Sequence, residues 1–235
     1  VAIKAGPSSS ASDSYAITFH GRGGHGSMPA ATIDPIPIAA RFVTDTQVVI
    51  SREKDPAAFG VLTIGAINAG SAPNIIPDSA EVKVNLRSQS PEVRKLLQDG
   101  TARVAKSAAA MGGAPEPTIR YLGGTGIMMN DAVMAKAAVA ALTPAFGKGL
   151  VFAPESATPM SGSEDYSEFV DAGVPSLFFG IGGYDPAVLA GLKAKGEPAP
   201  TNHSPFFAPK AEPAIRNAVT AIVLSIVGGV RPAAK

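Results

Sequence analysis

The feature that most constrains this fold is a hydrophobic period that switches between two and about 3.6 residues within residues 13–123. Polar and apolar residues alternate around Tyr15 and again, strictly, in residues 81–87, which is typical of strands with one face in water. Helical spacing predicts helices that begin near Pro35 and at Pro91, the second capped by Ser90. With strands at residues 61–67 and 118–122, the order is βαββαβ, a ferredoxin-like pattern.

The segment after Gly123 has a different texture, which resembles the end of an α/β domain. We expect helices at residues 132–142, from a cap at 163–165 to about 172, and at 211–227. The apolar run 174–180 predicts a strand buried on both faces of a parallel sheet. The apolar residues of the last helix are expected to pack into the core: Ile215, Val219, Ile222, Val223 and Ile226.

The predicted fold class is therefore α/β with an α+β insertion. Residues 13–123 are predicted to form the ferredoxin-like domain, and the residues after Gly123 the end of an α/β domain.

Composition excludes several classes of function. A net charge of +1 over 235 residues provides no electrostatic footprint for nucleic acid or an anionic membrane. The absence of cysteine excludes disulfides and thiolate metal sites, although it does not fix the cellular compartment. The longest apolar stretch, residues 218–230, is too short to span a bilayer, which needs roughly 20 residues.

A glycine-rich segment around His25, residues 21–29, is the first candidate site. The imidazole is either an exposed loop histidine or a group that donates a hydrogen bond to a reacting oxygen. In the second interpretation, we expect the glycines to let a substrate or a partner subunit approach closely.

A second candidate histidine, His203, follows a long polar loop. It is either a loop residue or a metal ligand, and one histidine cannot form a metal site by itself. Glu164 and Asp165 are either a paired acid and base or acids that complement a helix dipole. His20 alternates with strand residues, which favours a strand-surface position.

Substrate-binding candidates lie in three further places. Asn74 occupies a turn bracketed by prolines, where asparagine is ordinarily structural. Arg87 ends the alternating strand on its polar side, and its guanidinium suits a carboxylate. Gly180 and Gly182 follow the apolar run; they do not form a dinucleotide fingerprint and could let a ligand carboxylate meet backbone N–H groups.

Taken together, these segments resemble the dinuclear-metal amidohydrolases, which include hippurate hydrolase, N-acyl-amino-acid amidohydrolases and auxin-conjugate hydrolases. The segments that match in order and spacing are residues 21–29, 34–36, 47, 51–53, 74–80, 163–166 and 202–205. The resemblance implies hydrolysis of the amide bond of N-acyl amino acids or small peptides by a metal-activated water. It also implies that residues 1–12 end the first segment of a catalytic domain, that residues 13–123 form a lid and dimerisation domain, and that residues 124–235 form the C-terminal part of the catalytic domain.

The same resemblance implies roles for single residues. His25 matches a lid histidine that polarises the scissile carbonyl in the partner subunit's active site, and Asn74 matches a lid asparagine that contacts substrate across a homodimer. Arg87, Gly180 and Gly182 fall where such enzymes hold the substrate carboxylate. His203 matches the last ligand of a divalent-metal site, which implies two zinc ions, with manganese, cobalt or nickel also suited to an N/O site.

One departure from the family pattern concerns the upstream ligands. The family's remaining metal ligands and its general-base glutamate precede the lid, and nothing in this chain matches them. We therefore expect this polypeptide by itself to be unable to hydrolyse an amide. The alternative hypothesis is a non-catalytic dimerisation or binding module derived from such an enzyme.

Overall fold

The structure is a computed structural model that describes residues 1–230, and the chain divides into two compact units. One unit, here called the ferredoxin-like unit, contains residues 9–128 and 159–172. The other, here called the terminal unit, contains residues 1–8, 129–158 and the described residues from 173 onward. Among residues 1–230, no helix has the length and apolar character that a membrane span requires.

The strands and helices are numbered in chain order. The strands are β1 (Ala2–Lys4), β2 (Gly6–Pro7), β3 (Ala11–His20), β4 (Gly24–His25), β5 (Gly60–Ala69), β6 (Ile75–Ile76), β7 (Ser79–Ser88), β8 (Thr118–Thr125), β9 (Met129–Asn130), β10 (Val151–Ala153) and β11 (Phe179–Gly180). The α-helices are α1 (Pro35–Asp45), α2 (Pro91–Met111), α3 (Ala132–Phe146), α4 (Ser167–Asp171), α5 (Pro186–Ala194) and α6 (Ala211–Val227), and a π-helical turn follows α1 at Val49–Glu53.

The ferredoxin-like unit is built on a four-stranded antiparallel sheet with the order β5-β7-β3-β8. The chain passes through β3, α1, β5, β7, α2 and β8, which confirms the predicted βαββαβ order. Both helices pack on one face of the sheet, where Phe19 of β3 meets Phe42 of α1 with ring centroids 5.5 Å apart. Alternation along β7 places Val82 and Val84 in the same core, because successive side chains of a strand point to opposite faces.

The starts of the two helices follow from their capping residues, as the sequence predicts. The Asp34 carboxylate accepts a hydrogen bond from the Ile36 N–H at 2.9 Å, and the Ser90 hydroxyl accepts one from the Val93 N–H at 3.2 Å. Each cap is followed by proline at the beginning of the helix, where the missing N–H removes no helical hydrogen bond.

A buried ion pair joins β3 to α2. Arg94 donates two hydrogen bonds to the Asp13 carboxylate, from Nε to Oδ2 and from Nη2 to Oδ1, each at 2.8 Å. Only 3% of the Asp13 side chain is exposed, compared with 30% for Arg94. The hydrogen bond to Asp13, and also the charge of Asp13, raise the pKa of Arg94.

Residues 159–172 belong to the ferredoxin-like unit, although the sequence assigned them to the second half of the chain. Ser10 holds this segment because its N–H donates to the Gly162 carbonyl and its hydroxyl to the Ser161 carbonyl, both at 2.9 Å. The predicted cap at residues 163–165 is wrong. The helix α4 begins only at Ser167, after Tyr166, and has no side-chain cap.

The terminal unit contains a three-stranded sheet with β1 at its centre. Strand β10 is parallel to β1, whereas β11 is antiparallel to it and pairs Gly180 with Ala2. The predicted strand over residues 174–180 is therefore reduced to two residues, and its parallel pairing is wrong. Polar contacts interrupt the run, because the Asn130 side chain bonds the backbone of Phe178 at 2.6 and 2.7 Å.

The helices α3 and α6 pack on each other in the terminal unit, with Ala138, Leu142 and Ala221 fully buried. The prediction for α6 chose the wrong face. Its large apolar residues are about half exposed or more within the described residues, and Ile226 is 73% exposed. Ala221 is the fully buried apolar residue of α6 in this core, and Leu224 packs against it partly buried.

Candidate functional site

Two short antiparallel strands, β4 and β6, bring the backbone of His25 next to that of Asn74 in the ferredoxin-like unit. Strands β4 and β6 pair Gly24 with Ile76 and His25 with Ile75. The Gly26 N–H donates to the Asn74 carbonyl at 2.8 Å, which extends this pairing by one residue. Both candidate side chains are exposed, so they are available to a ligand.

The glycines around His25 are required by the loop's own packing. A side chain at Gly21 would collide with the Ile33 carbonyl oxygen, and a Cβ at Gly23 would lie 2.8 Å from the Ile76 carbonyl oxygen. These two glycines therefore have a steric reason within the chain, and the expectation that the glycines let a substrate or partner approach stays a prediction. None of them needs a left-handed backbone conformation.

Asp78 anchors this loop and was missed by the sequence analysis. Its carbonyl accepts from the Gly21 N–H at 2.7 Å, and its carboxylate accepts from the Gly23 N–H at 2.8 Å. The signal was present, since an aspartate four residues after Asn74 follows a proline turn and can bond nearby backbone.

Ser27 lies beside the imidazole of His25 and was also missed. Its N–H donates to His25 Nδ1 at 3.2 Å, and its hydroxyl oxygen lies 2.8 Å from the same nitrogen. The imidazole is therefore held on its Nδ1 side by the residue two positions along the chain.

Arg87 contacts the segment of residues 159–172 rather than standing free on the sheet. Its Nη1 donates to the Ser161 carbonyl at 3.1 Å and to the Ser163 hydroxyl at 3.4 Å. The neighbouring Gln89 donates to the Pro159 carbonyl at 3.2 Å. Arg87 thus ties the predicted motif around Ser163 to the end of β7.

His203 lies in the terminal unit, in a turn closed by a hydrogen bond from the Ser204 N–H to the Thr201 carbonyl at 3.0 Å. It has a φ of 71° and is the one non-glycine residue with a positive φ among residues 1–230. The third residue of a type II turn takes this conformation, and histidine is among the residues that tolerate it best.

The loop that carries His203 is tied to the glycine segment after β11. Lys210 donates its N–H to the Gly183 carbonyl at 2.8 Å and forms an ion pair with Asp185 at 2.8 Å, which lowers the pKa of that carboxyl. The Tyr184 hydroxyl donates to the Pro200 carbonyl at 2.7 Å. The fold therefore groups the predicted residues Gly180, Gly182 and His203 in one unit, whereas His25, Asn74 and Arg87 lie in the other.

The described residues do not by themselves provide a complete metal site. Within residues 1–230, no three histidine, aspartate, glutamate or cysteine side chains are grouped closely enough to hold an ion. Since zinc sites use three or four protein ligands, His203 is at most one member of such a set.

The family of the ferredoxin-like unit follows from a match to its sequence. Residues 9–111 match the model of the peptidase dimerisation domain of the M20 peptidases. Residues 9–111 belong to the peptidase dimerisation domain of the M20 type. The match covers β3 to α2, so the M20 dimerisation domain contains His25, Asn74 and Arg87.

Several proteins with sequence similarity to this chain are named as hydrolases. It is 43% identical over 107 residues to hippurate hydrolase from Campylobacter jejuni, covering 46% of this chain and 28% of the relative. It is 30% identical over 166 residues to N-acetyldiaminopimelate deacetylase from Streptococcus thermophilus, covering 71% of this chain and 43% of the relative. The chain therefore spans less than half the length of these two relatives.

A solved structure shares the fold. The Bacillus subtilis YXEP protein, described as a dinuclear metal binding peptidase from the M20 family, superposes with a TM-score of 0.68 at 23% identity. The similarity covers 98% of this chain and 53% of that protein.

Proposed function

We propose that this chain forms part of a metal-dependent amidohydrolase that cleaves the amide bond of N-acyl amino acids or small peptides. The observation that carries the proposal is the placement of His25 and Asn74 on neighbouring segments of backbone. Both side chains are exposed, and the Gly26 N–H donates to the Asn74 carbonyl between the two segments. The names of the relatives, a hippurate hydrolase and an N-acetyldiaminopimelate deacetylase, support the class of substrate.

His25 and Asn74 are assigned to the substrate carbonyl. Attack on an amide places negative charge on the carbonyl oxygen, and preorganised N–H donors lower the energy of that state. The His25 imidazole supplies one donor and the Asn74 side-chain amide another. Because β4 is paired with β6, the backbone segments that carry these two side chains are already held next to each other before the substrate binds.

Arg87 of the ferredoxin-like unit, and Gly180 with Gly182 of the terminal unit, are each proposed as a group that can bind a substrate carboxylate. Arg87 uses Nη1 for Ser161 and Ser163, and a guanidinium carries five N–H donors in all. Open space surrounds Gly182, where no atom lies within 4 Å of a Cβ position. A carboxylate can therefore approach the backbone there without a side chain in its way.

The metal dependence in this proposal rests on the description of the YXEP protein as a dinuclear metal binding peptidase. His203 is the residue of this chain assigned to the metal, with zinc as the first choice and manganese, cobalt or nickel as alternatives. Residues 1–230 do not by themselves complete a set of ligands for this ion.

The first experiment measures hippurate hydrolysis by the metal-loaded holoenzyme with His25 replaced by alanine. His25→Ala is expected to lower kcat about 100-fold to 1000-fold, the usual cost of losing an oxyanion donor. His20→Ala is the matched control, because His20 lies on the same unit and bonds Thr118 instead. A kcat within twofold of wild type for His25→Ala would refute the assigned role. A wild-type holoenzyme that does not hydrolyse hippurate or other N-acyl amino acids would instead favour the alternative of a non-catalytic dimerisation or binding module.

A second experiment tests whether His25 acts across a homodimer. The family match to a dimerisation domain supports a homodimer formed through the ferredoxin-like unit. If His25 serves the partner's site, mixing the His25→Ala and His203→Ala holoenzymes restores one intact site in each mixed dimer. Random exchange then yields about one quarter of wild-type activity. No recovery in a mixture shown to exchange subunits would place His25 in its own subunit's site.

A further inference from the structure

The N–H groups of three consecutive residues after His25 are all engaged. The Gly26 N–H donates to the Asn74 carbonyl and the Met28 N–H to the His25 carbonyl, both at 2.8 Å. The Ser27 N–H, between them, donates to His25 Nδ1 at 3.2 Å. The turn is thus held on both sides, and its central N–H is fixed toward the imidazole.

This arrangement determines which nitrogen of His25 carries the proton. A backbone N–H can only donate, so Nδ1 must present its lone pair to Ser27. The Ser27 hydroxyl, with its oxygen 2.8 Å from Nδ1, then also acts as a donor. Since a neutral imidazole has one N–H, the proton must be on Nε2.

We propose that Ser27 is a positioning residue that holds neutral His25 in the Nε2–H tautomer, so that the exposed end of the imidazole is a hydrogen-bond donor. This inference rests on the proposed function for its catalytic meaning. The opposite tautomer would direct the Nε2 lone pair at a substrate carbonyl oxygen and repel it. Ser27 therefore preserves the donor without requiring a positively charged imidazole.

The tautomer is measured by ¹⁵N NMR of the histidine-labelled protein at about pH 8.5, where an ordinary histidine is neutral. We expect Nδ1 of His25 to resonate as an unprotonated nitrogen and Nε2 as a protonated one. Ser27→Ala removes the hydroxyl and keeps the backbone N–H. Loss of one hydrogen bond is expected to shift the tautomer ratio about fivefold toward Nδ1–H.

Two further variants separate a positioning role from a general disturbance of the loop. Ser27→Thr retains a hydroxyl and is expected to restore the wild-type tautomer ratio. Ser71→Ala makes the same substitution in the turn that precedes Asn74 and is expected to leave the His25 resonances unchanged. A wild-type spectrum with the proton on Nδ1, or a Ser27→Ala spectrum identical to wild type, would overturn the inference.

Activity in the holoenzyme distinguishes this inference from the proposed function. If both hold, Ser27→Ala lowers kcat in proportion to the measured fall in the fraction of His25 in the Nε2–H form, with little change in KM, and Ser27→Thr restores it. If the tautomer shifts while His25→Ala leaves kcat unchanged, the proposed function fails and the role of Ser27 stands. If His25→Ala lowers kcat while the tautomer does not depend on Ser27, the inference fails and the proposed function stands.

Discussion

Removing Arg94 is expected to destabilise the ferredoxin-like unit strongly, because it leaves the Asp13 carboxylate buried without its counterion. Asp13 has 3% of its side chain exposed and would retain only the Tyr121 hydroxyl, at 3.4 Å. Breaking a buried ion pair from one side typically costs about 3–5 kcal/mol. We expect Arg94→Met to fall in that range.

Removing the charge from the other side should cost less. In Asp13→Asn the guanidinium of Arg94 loses its partner, but 30% of that side chain is exposed and water can solvate it. A loss of about 1–3 kcal/mol is expected for hydrogen bonds to a charged group. The double variant should be more stable than Arg94→Met alone, because it leaves no buried charge.

Urea unfolding followed by the near-ultraviolet signal of tyrosine provides the assay. The chain has no tryptophan, and Tyr15 and Tyr121 lie in this unit with ring centroids 5.3 Å apart. The pair Lys95–Asp99 on the same helix is a matched control, since its side chains are 77% and 63% exposed. Lys95→Met should change the free energy of unfolding by only about 0.2–0.5 kcal/mol.

The order of the variants is what tests the reasoning. If Arg94→Met were no more destabilising than Asp13→Asn, the difference in burial would not control the cost of the unpaired charge. If it cost no more than Lys95→Met, the ion pair would have no greater effect than one at the surface.

Three further predictions concern packing and pH. Gly21→Ala should destabilise the protein by about 1–3 kcal/mol because its Cβ meets a backbone carbonyl, whereas Gly65→Ala, with its nearest atom 4.0 Å away, should cost much less by the same urea assay. Burial, and then the charge of Asp13, raise the pKa of Tyr121. The folded state thus keeps this proton longer than the unfolded chain, so stability present below about pH 10 is lost as pH rises, and Tyr121→Phe should reduce that loss in unfolding curves recorded from pH 8 to 11. Phe42→Ala should cost about 3–5 kcal/mol, whereas Ile226→Ala should stay within about 0.5 kcal/mol by chemical denaturation, because Phe42 is fully buried and Ile226 is 73% exposed.

The ferredoxin-like unit was predictable because local signals and global packing agree there. The Ser90 cap and the following proline determine where α2 begins, and strict alternation in residues 81–87 determines which side of β7 is buried. A single core contacts these elements, so the period of two or 3.6 residues maps directly onto burial.

The terminal unit was less predictable because its partners are distant in sequence. The apolar run 174–180 suggested a long strand, but the Asn130 side chain binds the backbone at Phe178, and pairing with β1 covers only two residues. In α6, hydrophobic spacing indicated one face and the small residue Ala221 made the contact with α3. Hydrophobic periodicity does not show which apolar face of a helix packs against another element of the same chain.

Some residues of the candidate site were likewise predictable from the sequence and others were not. The sequence by itself identified His25, Asn74 and His203 as candidates, because residue type and order carry that information. It could not show that Ser27 lies against Nδ1 of His25 or that Asp78 anchors the loop, since both depend on backbone angles and on pairing across about 50 residues.

The sequence alone determined the local features, which are the capped helices, the alternating strands and the choice of candidate residues. Only the tertiary structure decided the register of β4 against β6 and the direction of β11. Only the tertiary structure placed residues 159–172 in the ferredoxin-like unit. The physical reason is that propensity and periodicity act over a few neighbouring residues, whereas register and pairing depend on hydrogen bonds between segments far apart in the chain.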